Sequence, residues 1–238
     1  MKKFLKVISV ICAVTILGVG CYYLYSITLA PKKFSYYISE PSYNAGDTRA
    51  VVGIHPYVFV GYIEETHDYM SERFKREFPE TIKEIDLPMT ECKVKIIKNI
   101  KGNLIEKSSF SVYKTGGLNK SLTHIKMEQD SIMPQSERYY IFIGYAHEDG
   151  TLTVGDHPGI VEIESGINAE NLESSKLYQE YVDAYENQIL PKYSIGYSYL
   201  AKNDVNFGNG EYNQKLYQKE LKEEAEKAKK EKASLNAE

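Results

Sequence analysis

The sequence predicts a mainly β fold: a small antiparallel barrel, preceded by a membrane-spanning helix and followed by helices. Three observations carry that expectation. Between residues 49 and 165, short runs alternate apolar and polar side chains and are separated by turn-forming glycines, asparagines and aspartates. Tyrosine is abundant at 21 of 238 residues and tryptophan is absent, and tyrosine suits half-buried strand faces. After Gly166 the apolar period changes from that of a strand to that of a helix.

Five segments follow from these patterns: an anchor over 1–30, a linker over 31–48, the barrel over 49–165, a helix with a tyrosine-rich connection over 166–210, and a charged helical tail over 211–238. The barrel segment is of ordinary size for one domain, and too small for a large α/β enzyme. The net charge of −4 makes no electrostatic case for a nucleic-acid partner. Of the three cysteines, Cys12 and Cys21 fall in the anchor. Cys92 is therefore alone in the globular part and cannot form an intrachain disulfide there. It alternates in phase with Val94 and Ile96, the pattern of a buried core thiol.

The chain starts with Lys2, Lys3 and Lys6, and no charged residue occurs from Val7 to Ala30. That run exceeds the roughly 20 residues needed to cross a bilayer as a helix. Tyr22, Tyr23 and Tyr25 continue it and suit the interfacial aromatic belt, whereas a cleavable signal peptide would shorten to small residues. The expectation is an uncleaved single-pass anchor with the rest of the chain on the extracytoplasmic side. The stretch Leu17 to Cys21 also resembles a bacterial lipoprotein box, but Gly18 stands where an aliphatic residue is usual and the apolar run continues past Cys21. The anchor is preferred over lipidation, and both put the domain outside.

The linker 31–48 is polar and turn-rich. Arg49 to Glu64 has strand character with both faces apolar, the pattern of a strand buried on two sides, and Pro56 separates Ala50–Ile54 as a short element of its own. Thr66 to Leu87 is charged and reads as an insertion, either a short helix from Tyr69 to Phe78 or a flexible excursion. Thr90 to Ile100 is the clearest strand, with Cys92, Val94 and Ile96 facing one way and Lys93 and Lys95 the other. Lys101, Gly102 and Asn103 form a turn, and Ser108 to Lys114 returns as the next strand. Gly116 and Gly117 end it where the backbone needs positive φ or close approach. Pro88 to Gly117 is thus expected as the central hairpin.

Leu118 to Ser136 is polar and irregular, and Arg138 to His147 is a strongly apolar strand. Asp149 and Gly150 signal a two-residue hairpin to Thr151–Val154, and Gly159 to Ile163 is a short closing strand. Beyond it, Leu172, Leu177, Tyr181, Tyr185 and Ile189 recur at helical spacing, with Asn168 as N-cap and Pro191 as terminator. Glu211 to Ala233 is a charged helix whose Glu223/Lys227 and Glu226/Lys230 pairs favour a solvated single helix.

Six motifs occur in order: Tyr57–Ile63, Pro88–Thr90, Val94–Leu104, Lys114–Gly117, Tyr140–Ile143 and Asp149–Leu152. Together they resemble a group of uncharacterised extracytoplasmic proteins of Gram-positive bacteria, over Val51 to Ile163. The chain departs from that pattern at Ser136 to Arg138, where a glycine is usual before the apolar strand. The strand order is also similar to small OB-type barrels, including the netrin-like domains of tissue inhibitors of metalloproteinases. Those inhibitors coordinate a protease metal through a disulfide-linked N-terminal cysteine, and no cysteine here fits that role.

For chemistry, no Gly-x-Ser-x-Gly elbow is present, and neither Gly116-Gly117 nor Gly208 to Gly210 has the remainder of a phosphate loop. One constellation has metal-ligating residue types: His147, Glu148, Asp149, Asp156 and His157 flank the Asp149 hairpin, at a spacing matching no established zinc pattern. His55, His67 and His124 are scattered and read as exposed turn residues, and Glu64/Glu65 and Glu162/Glu164 as solvated strand carboxylates. No catalytic residue, metal ligand or cofactor is assigned. The expected function is a non-catalytic binding or interaction module of the bacterial cell envelope, with a glycan or envelope protein as partner. The strand tyrosines and Tyr193, Tyr197 and Tyr199 are its candidate stacking surface, against the plainer reading that the latter three pack the appendage onto the barrel. Lys93, Lys95 and Lys98 form a candidate basic row or a solvated edge. The alternative is an envelope hydrolase or metal-dependent protein using an unrecognised site.

Overall fold

A computed structural model describes residues 2–28, 32–38, 41, 43–67, 88–119, 123–155, 158–191 and 199–208, and within the first of these the side chains of 12–25. The expected helix at 69–78 and the charged tail over 211–238 lie outside the described residues, as do Asp156, His157, Tyr193 and Tyr197.

The first helix, α1, covers Lys2–Thr28. Among the described residues no helix is long and apolar enough to cross a membrane. The stretch of α1 with described side chains, 12–25, is by itself shorter than the roughly 20 residues a span takes.

Among the described residues nine strands follow: β1 (Lys33–Tyr37), β2 (Tyr57–His67), β3 (Met89–Lys101), β4 (Ser109–Thr115), β5 (Gly117–Leu118), β6 (His124–Glu128), β7 (Tyr139–Ala146), β8 (Leu152–Val154) and β9 (Ile160–Glu162). The same residues include two further α-helices, α2 (Thr48–Ile54) and α3 (Lys176–Glu186). Five strands close a barrel in the order β2-β3-β4-β8-β7, with β7 pairing back onto β2. The barrel is not wholly antiparallel as expected, because β4 and β8 run parallel, with Val112 opposite Leu152 and Lys114 opposite Val154. A connection through β5, β6 and β7 separates β4 from β8, so the pair is not a hairpin and antiparallel order is not imposed. Strand β7 carries β2 along one edge, and β8 and then β9 along the other.

The barrel interior is filled by alternate residues of these strands. Phe59 stacks on Phe142 at 5.1 Å, with Ile63, Val94, Ile96, Val112, Leu152 and the buried Cys92 around them. Gly61 leaves room for this packing, since a Cβ there would lie 2.4 Å from Val94 Cγ1. The second apolar face of β2 is equally buried. Val58 and Val60, with Ile141 and Ile143 of β7, pack under Val51 and Val52 of α2 and Tyr178, Tyr181 and Ala184 of α3. Two cores share one strand pair, which explains why both faces of β2 are apolar.

The segment Ala50–Ile54, given strand character in the sequence, is helical. Asp47 caps it by accepting from the Arg49 N–H, and Val51 to Ile54 are buried. Burial against α3 overrides the strand preference of its β-branched residues. The linker reading of 31–48 also changes, because β1 lies within it and pairs in parallel with β6, in a segment expected to be irregular. With β5 these make a second, three-stranded sheet. Gly116 and Gly117 do sit at positive φ, 101° and 135°, at the step from β4 into β5. The β7–β8 hairpin has a three-residue loop, Glu148 to Gly150, rather than two. His147 N–H donates to Thr151 O across it, and Gly150 takes the left-handed position at φ 80°. The cap of α3 is Ser175 rather than Asn168, whose side chain instead accepts from the Glu170 N–H in a turn upstream.

One end of the barrel is plugged by residues 199–208. The buried Tyr57 hydroxyl donates to Asp204 Oδ2 at 3.0 Å and accepts from the Ala201 N–H at 2.9 Å. Backbone bonds from Val205 to Asn103, from Ile105 to Asn203 and from Lys202 to Gly150 complete the closure. Tyr199 packs against the barrel core, the plainer of the two readings offered for it.

Candidate binding groove on the barrel wall

A row of outward-facing residues crosses four strands at one level of the barrel. Tyr139 of β7 is opposite Tyr62 of β2, Tyr62 is opposite Lys95 of β3, and Lys95 is opposite Ser109 of β4. The residues share a face because side chains opposite one another in a ladder point the same way. The tyrosine rings lie 4.9 Å apart and are tilted at 51°. They pave a groove of about 440 Å³ that is also lined by Glu64, Ile97, Lys95, Lys107 and Ala169. Lys107 is held at φ 63°, an uncommon conformation for a side chain of its size, while its N–H donates to Ile96 O at 2.8 Å. The groove therefore combines an aromatic floor with two cations and one carboxylate. Glu64 accepts from the Ser109 hydroxyl at 3.0 Å and lies 4.0 Å from Lys93 Nζ, which ties the lysine row to the groove rim.

The histidine and acid constellation is used differently. His147 Nε2 is 2.9 Å from Thr153 Oγ1, its ring meets Tyr145 edge-on at 5.2 Å, and burial lowers its pKa. Asp149 folds onto its own loop, accepting from the Thr151 N–H at 2.9 Å, and Glu148 is exposed. Among the described residues no three His, Cys, Asp or Glu side chains are grouped to hold a metal ion.

His55 is not an exposed turn residue. It is buried, with Nδ1 2.8 Å from the Val51 carbonyl and its ring edge-on to Tyr43, and burial holds its pKa below the usual imidazole value. The carboxylates expected on solvated faces have structural partners. Glu162 pairs with Arg138, and Glu164 receives the Ser175 hydroxyl at 2.6 Å and the Leu177 N–H at 3.0 Å at the start of α3. Those bonds, the Ser175 one foremost, lower the Glu164 pKa, and a carboxylate there complements the helix dipole.

A second cleft of about 710 Å³ lies between the start of α2 and α3. In it Asp47 pairs with Arg49 at 2.7 Å, and Thr48 donates to Glu180 at 2.7 Å. The Tyr62–Tyr139 groove remains the better-furnished recognition surface. Sequence reasoning named strand tyrosines as a class without selecting this pair. The available signal was that Tyr62 is out of phase with Phe59 and Ile63 of the barrel interior and Tyr139 with Tyr140 and Phe142, on the outer face they share with Val58, Val60, Ile141 and Ile143.

No family model and no curated protein matches the chain.

Proposed function

We propose that this chain is a membrane-anchored, extracytoplasmic binding module of the bacterial cell envelope that recognises an envelope glycan through the Tyr62–Tyr139 groove. The observation that carries the reading is the tilted tyrosine pair in a groove also lined by Lys95 and Lys107, on a closed barrel wall. Aromatic faces stack on the apolar faces of sugars, and flanking lysines and a carboxylate supply hydrogen bonds to hydroxyls and acidic substituents. The barrel is read as OB-type on its closed five-strand order. Such barrels bind on the face of their second and third strands, here β3 and β4, and Lys95 with Ser109 joins that face to the groove. The motif resemblance to extracytoplasmic proteins of Gram-positive bacteria belongs to the same proposal. So does the anchor, supported by the exposed apolar side chains of Val14, Ile16, Leu17 and Val19 in α1. Nothing in the groove favours the hydrolase alternative: Glu64 is engaged by Ser109 and Lys93.

The test is co-sedimentation of the full-length protein, in detergent micelles, with purified cell-wall glycan. The wild type is expected to pellet, and a Tyr62→Ala/Tyr139→Ala variant to bind about 10-fold more weakly, the loss of roughly one aromatic stack. Equal binding by both, or none by the wild type, would sink the glycan reading. Topology is checked separately with a C-terminal alkaline phosphatase fusion, whose inactivity would refute an external domain.

A further inference from the structure

The small sheet carries an apolar face that the groove does not use. On β1, Phe34 is 54% exposed and Tyr36 62%, and Ile38, one residue past the strand's end, is 75% exposed. The spacing of two puts all three on one face, and the Phe34 and Tyr36 rings stack at 6.3 Å, nearly parallel. Among the described residues β1 is also an edge strand, paired only with β6 in its sheet. An edge strand with large apolar side chains in phase is a surface that native proteins normally cover.

The chain connectivity names what covers it. Only residues 29–32 separate Thr28, the last residue of α1, from Lys33, the first of β1. A fully extended chain of that length reaches about 17 Å at roughly 3.5 Å per residue. The headgroup layer of one leaflet is about 5–8 Å thick. β1 thus starts within reach of the surface from which α1 would emerge. Its chemistry fits that layer: aromatic rings favour the interface, and Lys32, in phase with Phe34 and Tyr36, suits anionic headgroups.

We propose that Phe34, Tyr36 and Ile38 dock on the outer leaflet, so that the small sheet lies on the bilayer and fixes how the barrel and its groove face away from it. The proposal rests on the reading of α1 as a membrane anchor, and the experiment separates the two. The chain contains no tryptophan, so one introduced indole is an unambiguous reporter. Full-length protein is reconstituted into phosphatidylcholine–phosphatidylglycerol vesicles, with and without brominated acyl chains. Tyr36→Trp is compared with Leu17→Trp in α1 and with Tyr185→Trp, a partly exposed site on α3. Phe34→Trp is a second reporter on the same face, should one substitution disturb β1.

The expected result is strong quenching of Leu17→Trp, clear quenching with a blue-shifted emission for Tyr36→Trp and Phe34→Trp, and no quenching of Tyr185→Trp. Quenching of Leu17→Trp alone would overturn the docking while leaving the anchor standing. Blue-shifted but unquenched emission from both β1 reporters would mean that protein, such as a second copy pairing at the strand edge, covers this face, and would likewise overturn it. Absence of quenching at Leu17→Trp would remove the anchor, and the docking with it.

Discussion

Lys101 Nζ lies 2.6 Å from the carbonyl oxygen of Val52, so the last residue of β3 closes the end of α2. The same ammonium donates to Gly53 O at 3.1 Å and to Gln188 Oε1 at 2.9 Å, joining the barrel, α2 and the chain after α3 at one half-buried point. Burial pulls its pKa down to about 8. The last carbonyls of a helix have no intrahelical donors, and a lysine is one of the few side chains that can reach several. Lys101→Met is expected to destabilise the fold by about 1–3 kcal/mol, the cost of leaving buried acceptors unmet. Urea unfolding of the two proteins under identical conditions measures it, and unchanged midpoints would show that water replaces the ammonium.

Gly61 is expected to be intolerant of even one methyl group. An added Cβ meets Val94 Cγ1 at 2.4 Å and Phe142 Cε2 at 2.8 Å, inside the closed barrel where neither can withdraw. Gly61→Ala should cost about 1–3 kcal/mol as an overpacked core. A thermal melt equal to wild type would refute the tight contact.

Tyr57 holds the plug segment in place. Tyr57→Phe removes the acceptor of the Ala201 N–H and the donor to Asp204, and the backbone of 199–208 should then exchange its amide hydrogens faster. The expected loss in stability is about 1–3 kcal/mol. Burial raises the Tyr57 pKa well above the usual phenol value. The folded state therefore keeps its proton when the unfolded chain has lost it. The associated stability is complete below about pH 10 and is lost as pH rises through the folded value. Tyr57→Phe should flatten that alkaline decline.

His55 has the opposite sign at the acid end. Its pKa is lowered by burial, so the unfolded chain takes up a proton that the folded one refuses. Stability from this group is present above about pH 6.5 and falls as pH drops through and below that value. Unfolding midpoints of wild type and His55→Gln from pH 7 to pH 5 should converge on acidification. Parallel curves would show that His55 titrates alike in both states.

The strand periodicities were legible because alternation is a local consequence of the pleat. β3 is found at Met89–Lys101 against an expectation of Thr90 to Ile100, and Cys92 is in the core as its phase required. The double glycine was legible for a similar reason: positive φ is a single-residue property. The groove was not. Tyr62 and Tyr139 are neighbours only because β7 pairs with β2, and nothing local to either strand specifies that choice.

By itself, then, the sequence determined where the long strands of the barrel fall, that the barrel region is mainly β, and that β2 must be covered on both faces, since these depend on side-chain polarity and backbone sterics within a few residues. The tertiary structure alone decided the parallel β4–β8 pairing in the closed barrel, the helical state of α2, the placing of β1 beside β6, and the meeting of Tyr62 with Tyr139. Each of these is a contact between segments far apart in the chain. Its free energy comes from area buried between them, which no local window contains.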